Sequence, residues 1–429
     1  MISLSIRRPF LTGLVLVAFQ TPIHAQTVPL CADDTQAPAA RSAACRLALE
    51  TVTEPEVRAQ LLVNQVQSQR LQPGGGTAAD LLASLEEAEQ LLPATAAQSR
   101  ADLLVERAEV RALSNEFDAA FADLKEAEGL APGDADPLVS RAQFNFVLGN
   151  EAEGAAELDR ALAVDPDHVR TLYLAMRQAQ FTGRTETCIA YGNRALAISP
   201  RDTRVLGARA RCFATLGLAE AAQTDIDRID ALGAWAAVAA DDVALAYMAL
   251  DRPAAAARAA HQSVRLDPLF EDGYFDLVWA LMAAGEHDAA IETFRIFKET
   301  GLEDRIGISN GLAWELYLAG RYEDALKINE EWRAENPDPV DAPNTIANES
   351  GYPIVMDTAG HTLAALGRQQ EAVSAFLLAA KLSPAKVRTV YQQRLADMGF
   401  GTKLRDGGLE EALSACVATG DACRLYTEN

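Results

Sequence analysis

The sequence contains few aromatic residues and too few basic residues to balance its acidic ones. Aromatic residues make up 6% of the 429-residue chain and hydrophobic residues 49%, and alanine, the strongest helix former, is abundant. This composition favours an all-α protein. Lys and Arg number 38 against 61 Asp and Glu, so the formal net charge is -23. Because nucleic-acid binding depends on cation–phosphate contacts and anionic membranes attract basic segments, the charge argues against both as partners.

No segment of the sequence is long and apolar enough to span a membrane, which takes roughly 20 residues. An apolar run of about eleven residues, 9–19, follows Arg7 and Arg8 and precedes Ala25, a small residue at a natural cleavage position. These features describe a secretory signal peptide over residues 1–25. A membrane anchor is the alternative, but the run is short for it. We therefore expect an exported protein, periplasmic or secreted.

Cysteine is scarce, and its six positions fall into three pairs that are local in sequence. The pairs are Cys31 with Cys45, Cys188 with Cys212, and Cys416 with Cys423. Their spacing matches no metal motif. An even number of cysteines in an exported chain predicts three disulfides. Free buried thiols are the alternative.

No motif for catalysis or cofactor binding stands out. Residues 307–311 match the G-x-S-x-G pattern, but a nucleophile elbow needs a preceding strand, and helix is expected on both sides here. The four histidines of the mature chain lie far apart, without metal-ligand spacing: His168, His261, His287 and His361. Three adjacent acidic pairs are interpreted as solvated faces: Glu86 with Glu87, Asp241 with Asp242, and Glu330 with Glu331. We expect no enzyme activity, no metal and no cofactor.

An internal period of 34 residues runs through most of the chain. Pro132, Pro166 and Pro200 are 34 residues apart, Pro268 follows two periods later, and Pro337 two periods and one residue after that. Counting back from each proline gives eight repeats, which begin near Ala101, Ala135, Val169, Thr203, Ala237, Glu271, Ile306 and Pro353. A period of this length is typical of stacked helix–turn–helix repeats.

Three positions within the repeat are constrained to small or turn-forming residues. The eighth position holds Ala108, Ala142, Met176, Ala210, Ala244, Val278, Ala313 and Gly360. The twentieth holds Ala120, Gly154, Cys188, Ala222, Ala256, Ala290, Ala325 and Ala372. The fifteenth holds Asn115, Gly149, Gly183, Gly217, Asp251, Gly285, Gly320 and Gly367. We expect the fifteenth residue to end the first helix in a left-handed conformation and the small residues to let two helices pack closely.

This pattern resembles the tetratricopeptide repeat family, most clearly over residues 312–326 and 156–166. The resemblance implies an all-α, right-handed α-solenoid of stacked helix–turn–helix repeats. Eight repeats would occupy 99–384, with an insertion rich in Pro, Asn and Asp at 338–352. The insertion is either a binding loop or an ordinary surface loop. The fourth repeat departs from the family pattern at Ile229 and Ala234.

Helical caps are expected at both ends of the array. Residues 26–98 would form an N-terminal cap and an irregular repeat over 55–92, with Cys31 in a leader before a short helix that holds Cys45. Residues 385–429 would form a C-terminal cap with helices over 387–398 and 409–416. The tail also faintly resembles a peptidoglycan-binding helical domain, through Gln392, Gln393, Arg394, Leu395, Gly399, Asp406, Gly407, Ala412 and Leu413. A capping helix pair is the plainer interpretation.

The repeat phase supports the middle disulfide. Cys188 lies early in the second helix of one repeat, and Cys212 lies late in the first helix of the next. These helices are sequential and antiparallel, so the two residues reach similar heights.

The resemblance implies that ligands bind a concave face lined by first helices. The third and fourth repeats place there Arg170, Tyr173, Arg177, Gln180, Arg204 and Arg211. Four arginines on one surface of an acidic chain would suit carboxylates, because guanidinium groups bind them in a bidentate manner. The alternative is that neighbouring Asp and Glu neutralise them. The sixth and seventh repeats add Phe275, Trp279, Trp314 and Tyr317, which are either exposed binding anchors or core residues.

The preferred function is an extracytoplasmic scaffold that binds a protein or peptide, with an acidic segment, in the groove. The first alternative is a structural envelope protein that contacts peptidoglycan through its tail. A third possibility is an accessory to an enzyme or a hidden catalyst, but the absence of any convergent nucleophile, base or metal set argues against it.

Overall fold

The computed structural model describes residues 23–32, 38–72, 74–300, 306–336, 352–382, 387–420, 423 and 425. Across these residues the chain is all-α and contains no strand. The predicted all-α fold of stacked helix pairs is confirmed. Residues 1–22 of the predicted signal peptide and residues 338–351 of the predicted insertion lie outside the described residues. The chain divides into a first unit, residues 1–166, and a second unit, residues 167–429.

The first unit consists of eight helices in its described part, each packed against the next. They are α1 (Ile23–Ala32), α2 (Pro38–Leu49), α3 (Pro55–Arg70), α4 (Ala78–Leu91), α5 (Ala97–Leu113), α6 (Phe117–Leu130), α7 (Asp136–Val147) and α8 (Glu151–Val164). Helices α3 and α4 are the irregular pair expected over 55–92. Alternate helices also touch, as α3 does with α5 and α5 with α7. This next-nearest packing buries an apolar stripe that a single pair would leave exposed.

The second unit, described by itself, also consists of successive helices that pack in pairs. Its helices are α9 (Val169–Phe181), α10 (Thr185–Ile198), α11 (Thr203–Thr215), α12 (Ala219–Leu232), α13 (Ala237–Ala249), α14 (Pro253–Leu266), α15 (Glu271–Ala283), α16 (His287–Glu299), α17 (Ile306–Leu318), α18 (Tyr322–Glu335), α19 (Tyr352–Ala365), α20 (Gln369–Leu382), α21 (Thr389–Leu395) and α22 (Gly401–Val417). From α5 to α20, the odd-numbered helices are the first helices of the repeats and the even-numbered ones are the second helices.

All eight predicted turn residues adopt the left-handed conformation. Their φ angles lie between 56° and 76°, including those of the two non-glycine residues, Asn115 (58°) and Asp251 (56°). A glycine at this point avoids the steric cost that a side chain pays with positive φ, which explains why six of the eight are Gly.

The predicted small positions are all buried at helix crossings. Two of them have no room for even one carbon. A Cβ on Gly154 would lie 2.6 Å from the ring of Phe146, and a Cβ on Gly360 would lie 2.5 Å from the ring of Phe376. At these two crossings the glycine leaves room for an aromatic ring of the neighbouring helix.

The fourth repeat, which departs from the family pattern at Ile229 and Ala234, also has an irregular structure. Helix α12 ends at Leu232 and is capped by Gly233, whose φ is 64°, and α13 packs closely against α11. At this contact a Cβ on Gly207 would lie 2.9 Å from the carbonyl oxygen of Ala239. The close approach brings α13 and its side chains up to those of α11.

Three disulfides join the predicted pairs, with Cα–Cα distances of 4.7 Å for Cys31–Cys45, 6.5 Å for Cys188–Cys212 and 5.1 Å for Cys416–Cys423. The middle one links α10 to α11, as the repeat phase predicts.

The structure adds detail at both chain ends. Cys31 lies in the segment before the Cys45 helix, as predicted, and this segment forms a helix of its own, α1. Buried Arg41 of α2 holds this helix in place, because its Nε donates to the Cys31 carbonyl oxygen at 2.8 Å. At the other end, α22 spans Gly401–Val417 but is interrupted at Gly408, where φ is 77° and the backbone is not helical. The tail helix predicted over 409–416 corresponds to the segment after this kink, and the turn of helix before it was not predicted.

Candidate functional site

Two of the predicted groove arginines converge on one buried carboxylate. Arg177 of α9 and Arg211 of α11 place their Nη1 atoms 2.7 Å and 3.3 Å from the same oxygen, Oδ1 of Asp242 in α13. The Asp242 side chain is fully buried, whereas the arginine side chains are 35% and 33% exposed. The Asp242 charge is the main cause that raises the pKa of Arg177. Asp242 therefore fixes both guanidinium groups from below.

Gln180 of α9 makes a second contact with the neighbouring first helix, α11. Gln180 Nε2 donates to the carbonyl oxygen of Ala208 at 2.9 Å, and Arg177 Nη1 donates to Gln180 Oε1 at 3.4 Å. Both side chains are half-buried. The arrangement leaves little freedom for the Arg177 fork.

Arg204 lies at the edge of this surface. Its Nε and Nη2 atoms contact the two oxygens of Asp202 at 3.1 Å and 2.7 Å, and its guanidinium lies 5.7 Å from the centre of the Tyr173 ring. Burial is the main cause that raises the pKa of Tyr173 to about 12, so its hydroxyl stays protonated. Arg170, in the same first helix as Tyr173, is half-buried.

The interpretation of Asp241 and Asp242 as a solvated face was wrong. The two residues are 4% and 0% exposed, because α13 is apolar nearly all round and packs against α11, α14 and α15. Burial raises the pKa of Asp241 to about 8, with further contributions from Asp276, Asp242 and Asp272. Burial also raises the pKa of Asp276. Asp241 and Asp276 are hydrogen-bonded, which requires a shared proton.

The four predicted arginines therefore do not form a patch of unbalanced positive charge. Arg177 and Arg211 share the charge of Asp242, Arg204 is paired with Asp202, and the Asp241–Asp276 pair lies beside them. The surface offers fixed guanidinium donors in a nearly neutral setting.

The predicted aromatic residues fall into three separate environments. Trp314 and Tyr317 pack together in α17, with ring centres 5.1 Å apart, over the buried ring of His361 at 5.8 Å and 5.9 Å. Trp279 is 51% exposed. Phe275 packs edge-on against buried Phe297 at 5.3 Å and belongs mainly to the core.

Two buried acid–histidine contacts were not predicted. Glu315 of α17 is fully buried, and its Oε2 is hydrogen-bonded to His287 Nδ1 at 2.8 Å. Burial raises the pKa of Glu315. His361 is buried, which lowers its pKa, and its Nε2 lies 3.8 Å from Asp357. His287 and Glu315 belong to neighbouring repeats, so only the three-dimensional stacking reveals their contact. Asp357 and His361 lie one turn apart in the same helix.

The tail residues of the second unit belong to a hydrophobic core. Ala412, Leu413 and Cys416 are 0% exposed and pack with Phe376 and Leu395. Among the described residues, no cluster of three or more potential metal ligands occurs. No helix in the described ranges has the length and apolar character needed to cross a membrane.

Residues 355–386, which contain most of the eighth repeat, match the family model of the tetratricopeptide repeat. The chain is a tetratricopeptide-repeat protein. The match covers the repeat that follows the predicted insertion, and the same turn and small-residue geometry recurs in the seven repeats before it.

Several solved structures are similar to this chain. A monomeric mutant of IFIT1 with Gppp-AAAA is 13% identical, with 90% of this chain and 95% of that chain covered and a TM-score of 0.50. A tetratricopeptide repeat protein from Parabacteroides merdae is 17% identical, with 60% and 99% covered and a TM-score of 0.39. PilF of Pseudomonas aeruginosa is 15% identical, with 58% and 96% covered and a TM-score of 0.38. No curated protein matches the sequence.

Proposed function

We propose that this tetratricopeptide-repeat protein is an extracytoplasmic scaffold that binds a peptide or protein segment on the first helices of its second unit. The observation that carries the proposal is the convergence of Arg177 and Arg211 on the buried Asp242 carboxylate, with about a third of each arginine side chain still exposed. A buried acid that fixes two half-exposed cations is a positioning arrangement.

The chemistry of this surface favours a carboxylate on the partner. A guanidinium has five N–H donors, and Asp242 accepts a contact from only one nitrogen of each arginine. A carboxylate from the partner would bind the remaining donors with a charge-assisted, directional geometry. We therefore propose that the partner needs one or a few carboxylates at defined positions and not a long acidic segment.

Exposed aromatic rings provide a second set of contacts in the same unit. Trp279 is 51% exposed, and the Trp314–Tyr317 pair presents a half-buried surface held from below by His361. Rings that are fixed by packing lose little entropy on binding, and such residues dominate the energetics of many interfaces. We propose that these rings hold apolar side chains of the partner.

The proposed location is the periplasm or another oxidising compartment. All six cysteines are paired, and no free cysteine remains. Disulfides persist in exported proteins and are rare in reducing compartments. Cleavage of the predicted signal peptide after Ala25 would leave Gln26 as the first residue of the mature chain.

Affinity capture from an envelope extract tests the binding surface. The bait is the mature protein, compared with the double variant R177K/R211K, which keeps both charges and a partner for Asp242 but loses the guanidinium forks. The matched control is R265K/R295K, on exposed positions of the second helices α14 and α16. Hot-spot arginines contribute about 2 kcal/mol or more, so we expect the affinity for the captured partner to fall about 30-fold in the first variant. The control should bind normally.

Equal capture by both variants would contradict the proposed surface. Retention on purified sacculi without any protein partner would favour the peptidoglycan alternative. That alternative has little structural support, because Ala412 and Leu413 of the resemblance are fully buried.

A further inference from the structure

A small cavity lies between the seventh and eighth repeats, away from the arginine surface. Its volume is about 270 Å³, and it is bounded by α18, α19 and α20. Its exposed lining residues belong to the two second helices α18 and α20, as Glu330, Arg333 and Glu371 do, or directly precede α20, as Arg368 does. The mouth therefore opens between second helices, whereas the candidate groove is lined by first helices.

The cavity wall contains a buried amide that has no hydrogen-bond partner. Asn329 of α18 is 2% exposed, and neither its Nδ2 nor its Oδ1 contacts another polar group. Leaving a buried donor and acceptor unmade destabilises a protein, and such groups are rare in native structures. Asn329 lies on a second helix where leucine would pack without this cost. A ligand that hydrogen-bonds to the Asn329 amide would offset this cost.

The surroundings of Asn329 define the chemistry of a matching ligand. The buried walls are apolar and are formed by Leu326, Met356 and Leu363. At the mouth, Arg368 pairs with Glu371 at 2.6 Å, and Glu330 and Arg333 add one charge of each sign. A neutral group is therefore favoured over an ion.

A side-chain amide offers one acceptor and a donor side by side. The group that satisfies both at once is another amide, with its carbonyl oxygen facing Nδ2 and its N–H facing Oδ1. At about 270 Å³, the cavity is just below the range of roughly 300–1,000 Å³ that is usual for whole small-molecule ligands. It suits one amide with a short apolar neighbour.

We propose that the Asn329 cavity is a second binding site, which takes a neutral amide group of a peptide together with an adjoining apolar side chain. The amide comes either from a peptide main chain or from an asparagine or glutamine side chain. This site is independent of the first-helix surface and would let the scaffold hold a second segment on its second-helix side.

Methyl NMR of labelled methionine tests the site directly. The chain has six methionines. Met356 lines the cavity, whereas Met176 is buried in α9 and serves as the internal control. The probes are N-acetyl-leucine methylamide, N-acetyl-glutamine methylamide and butyl acetate, an ester without an N–H. Each is titrated through millimolar concentrations into the full mature protein and into Asn329→Leu.

We expect both amides, but not the ester, to shift the Met356 methyl resonance in a saturable way, with Met176 unchanged. The amide that saturates first identifies the source. Asn329→Leu should lose the response and unfold at a higher temperature than the unchanged protein, which also shows that it folds. An equal Met356 shift in Asn329→Leu, or no shift with either amide, would overturn the proposal and leave bound water as the partner of Asn329.

Discussion

The shared proton of Asp241 and Asp276 predicts an unusual dependence of stability on pH. The pKa of Asp241 is raised from 3.8 to about 8, chiefly by burial and then by Asp276. A carboxyl group whose pKa is raised on folding contributes stability that is full below its unfolded pKa and is lost as the pH rises through its folded pKa. The stability contributed by this proton is therefore lost between about pH 4 and pH 8.

The magnitude follows from the proton balance. Between pH 6 and pH 8 the native state holds close to one more proton at this site than the unfolded state, which lowers the stability by about 1.4 kcal/mol per pH unit. The loss diminishes as the pH approaches the folded pKa of about 8, so we expect a fall of about 2 kcal/mol over this interval. Asp241→Asn should abolish it, because asparagine stays neutral and can donate to Asp276 as the protonated acid does.

Urea unfolding followed by circular dichroism at pH 6 and pH 8 measures the effect. The unchanged protein should lose about 2 kcal/mol more than Asp241→Asn over this interval. Asp276→Asn serves as a second variant, since removing its charge should lower the pKa of Asp241 and shrink the pH dependence. Parallel stability curves for the unchanged protein and Asp241→Asn would refute the shared proton.

Three further predictions concern the repeat framework. Replacing Cys188 and Cys212 with alanine opens a link of sequence separation 24, and loop entropy predicts a loss of about 3.5 kcal/mol by denaturant unfolding, with a loss under 1 kcal/mol contradicting it. Gly360→Ala should destabilise the protein by about 1–3 kcal/mol, because the added Cβ would lie 2.5 Å from the ring of buried Phe376; an unchanged melting temperature would show that the ring can shift. Asp251→Gly should stabilise it by about 0.5–1 kcal/mol, since φ is 56° there, and a lower melting temperature would count against this reading of the turn.

The repeats could be predicted because local and tertiary requirements coincide in them. A residue such as Gly320 must end one helix with a positive φ, and Ala325 must let two helices meet, so each repeat carries the same signals at the same spacing. The middle disulfide followed from the same phase. These features depend on the position within a repeat and need no knowledge of distant contacts.

The buried acids could not be predicted in the same way. In the sequence, Asp241 and Asp242 resemble an acidic pair on the exposed face of a helix. Only the close packing of α13 on α11 buries them. A usable signal was present, because the rest of α13 is almost wholly apolar and such a helix is buried all round. The contact of Arg177 with Asp242 joins residues 65 positions apart, which the repeat phase alone does not relate.

The sequence places the proposed site residues on the first helices but does not show the charge of their surroundings. The first helices carry the predicted arginines and aromatic residues, and the structure adds the acids that hold them. Phe275 was drawn into the core by Phe297, because a groove position and a core position differ by only part of a helical turn.

Photo-crosslinking in living cells tests the central claim most directly. p-Benzoylphenylalanine replaces Trp279 of the first helix α15 or Ile296 of the second helix α16, two side chains of the sixth repeat with similar exposure, 51% and 46%. The scaffold account predicts a discrete adduct with a polypeptide partner from Trp279 and none from Ile296, and predicts that R177K/R211K weakens it. An adduct from Ile296 alone, or none from either position, would contradict binding on the first-helix surface.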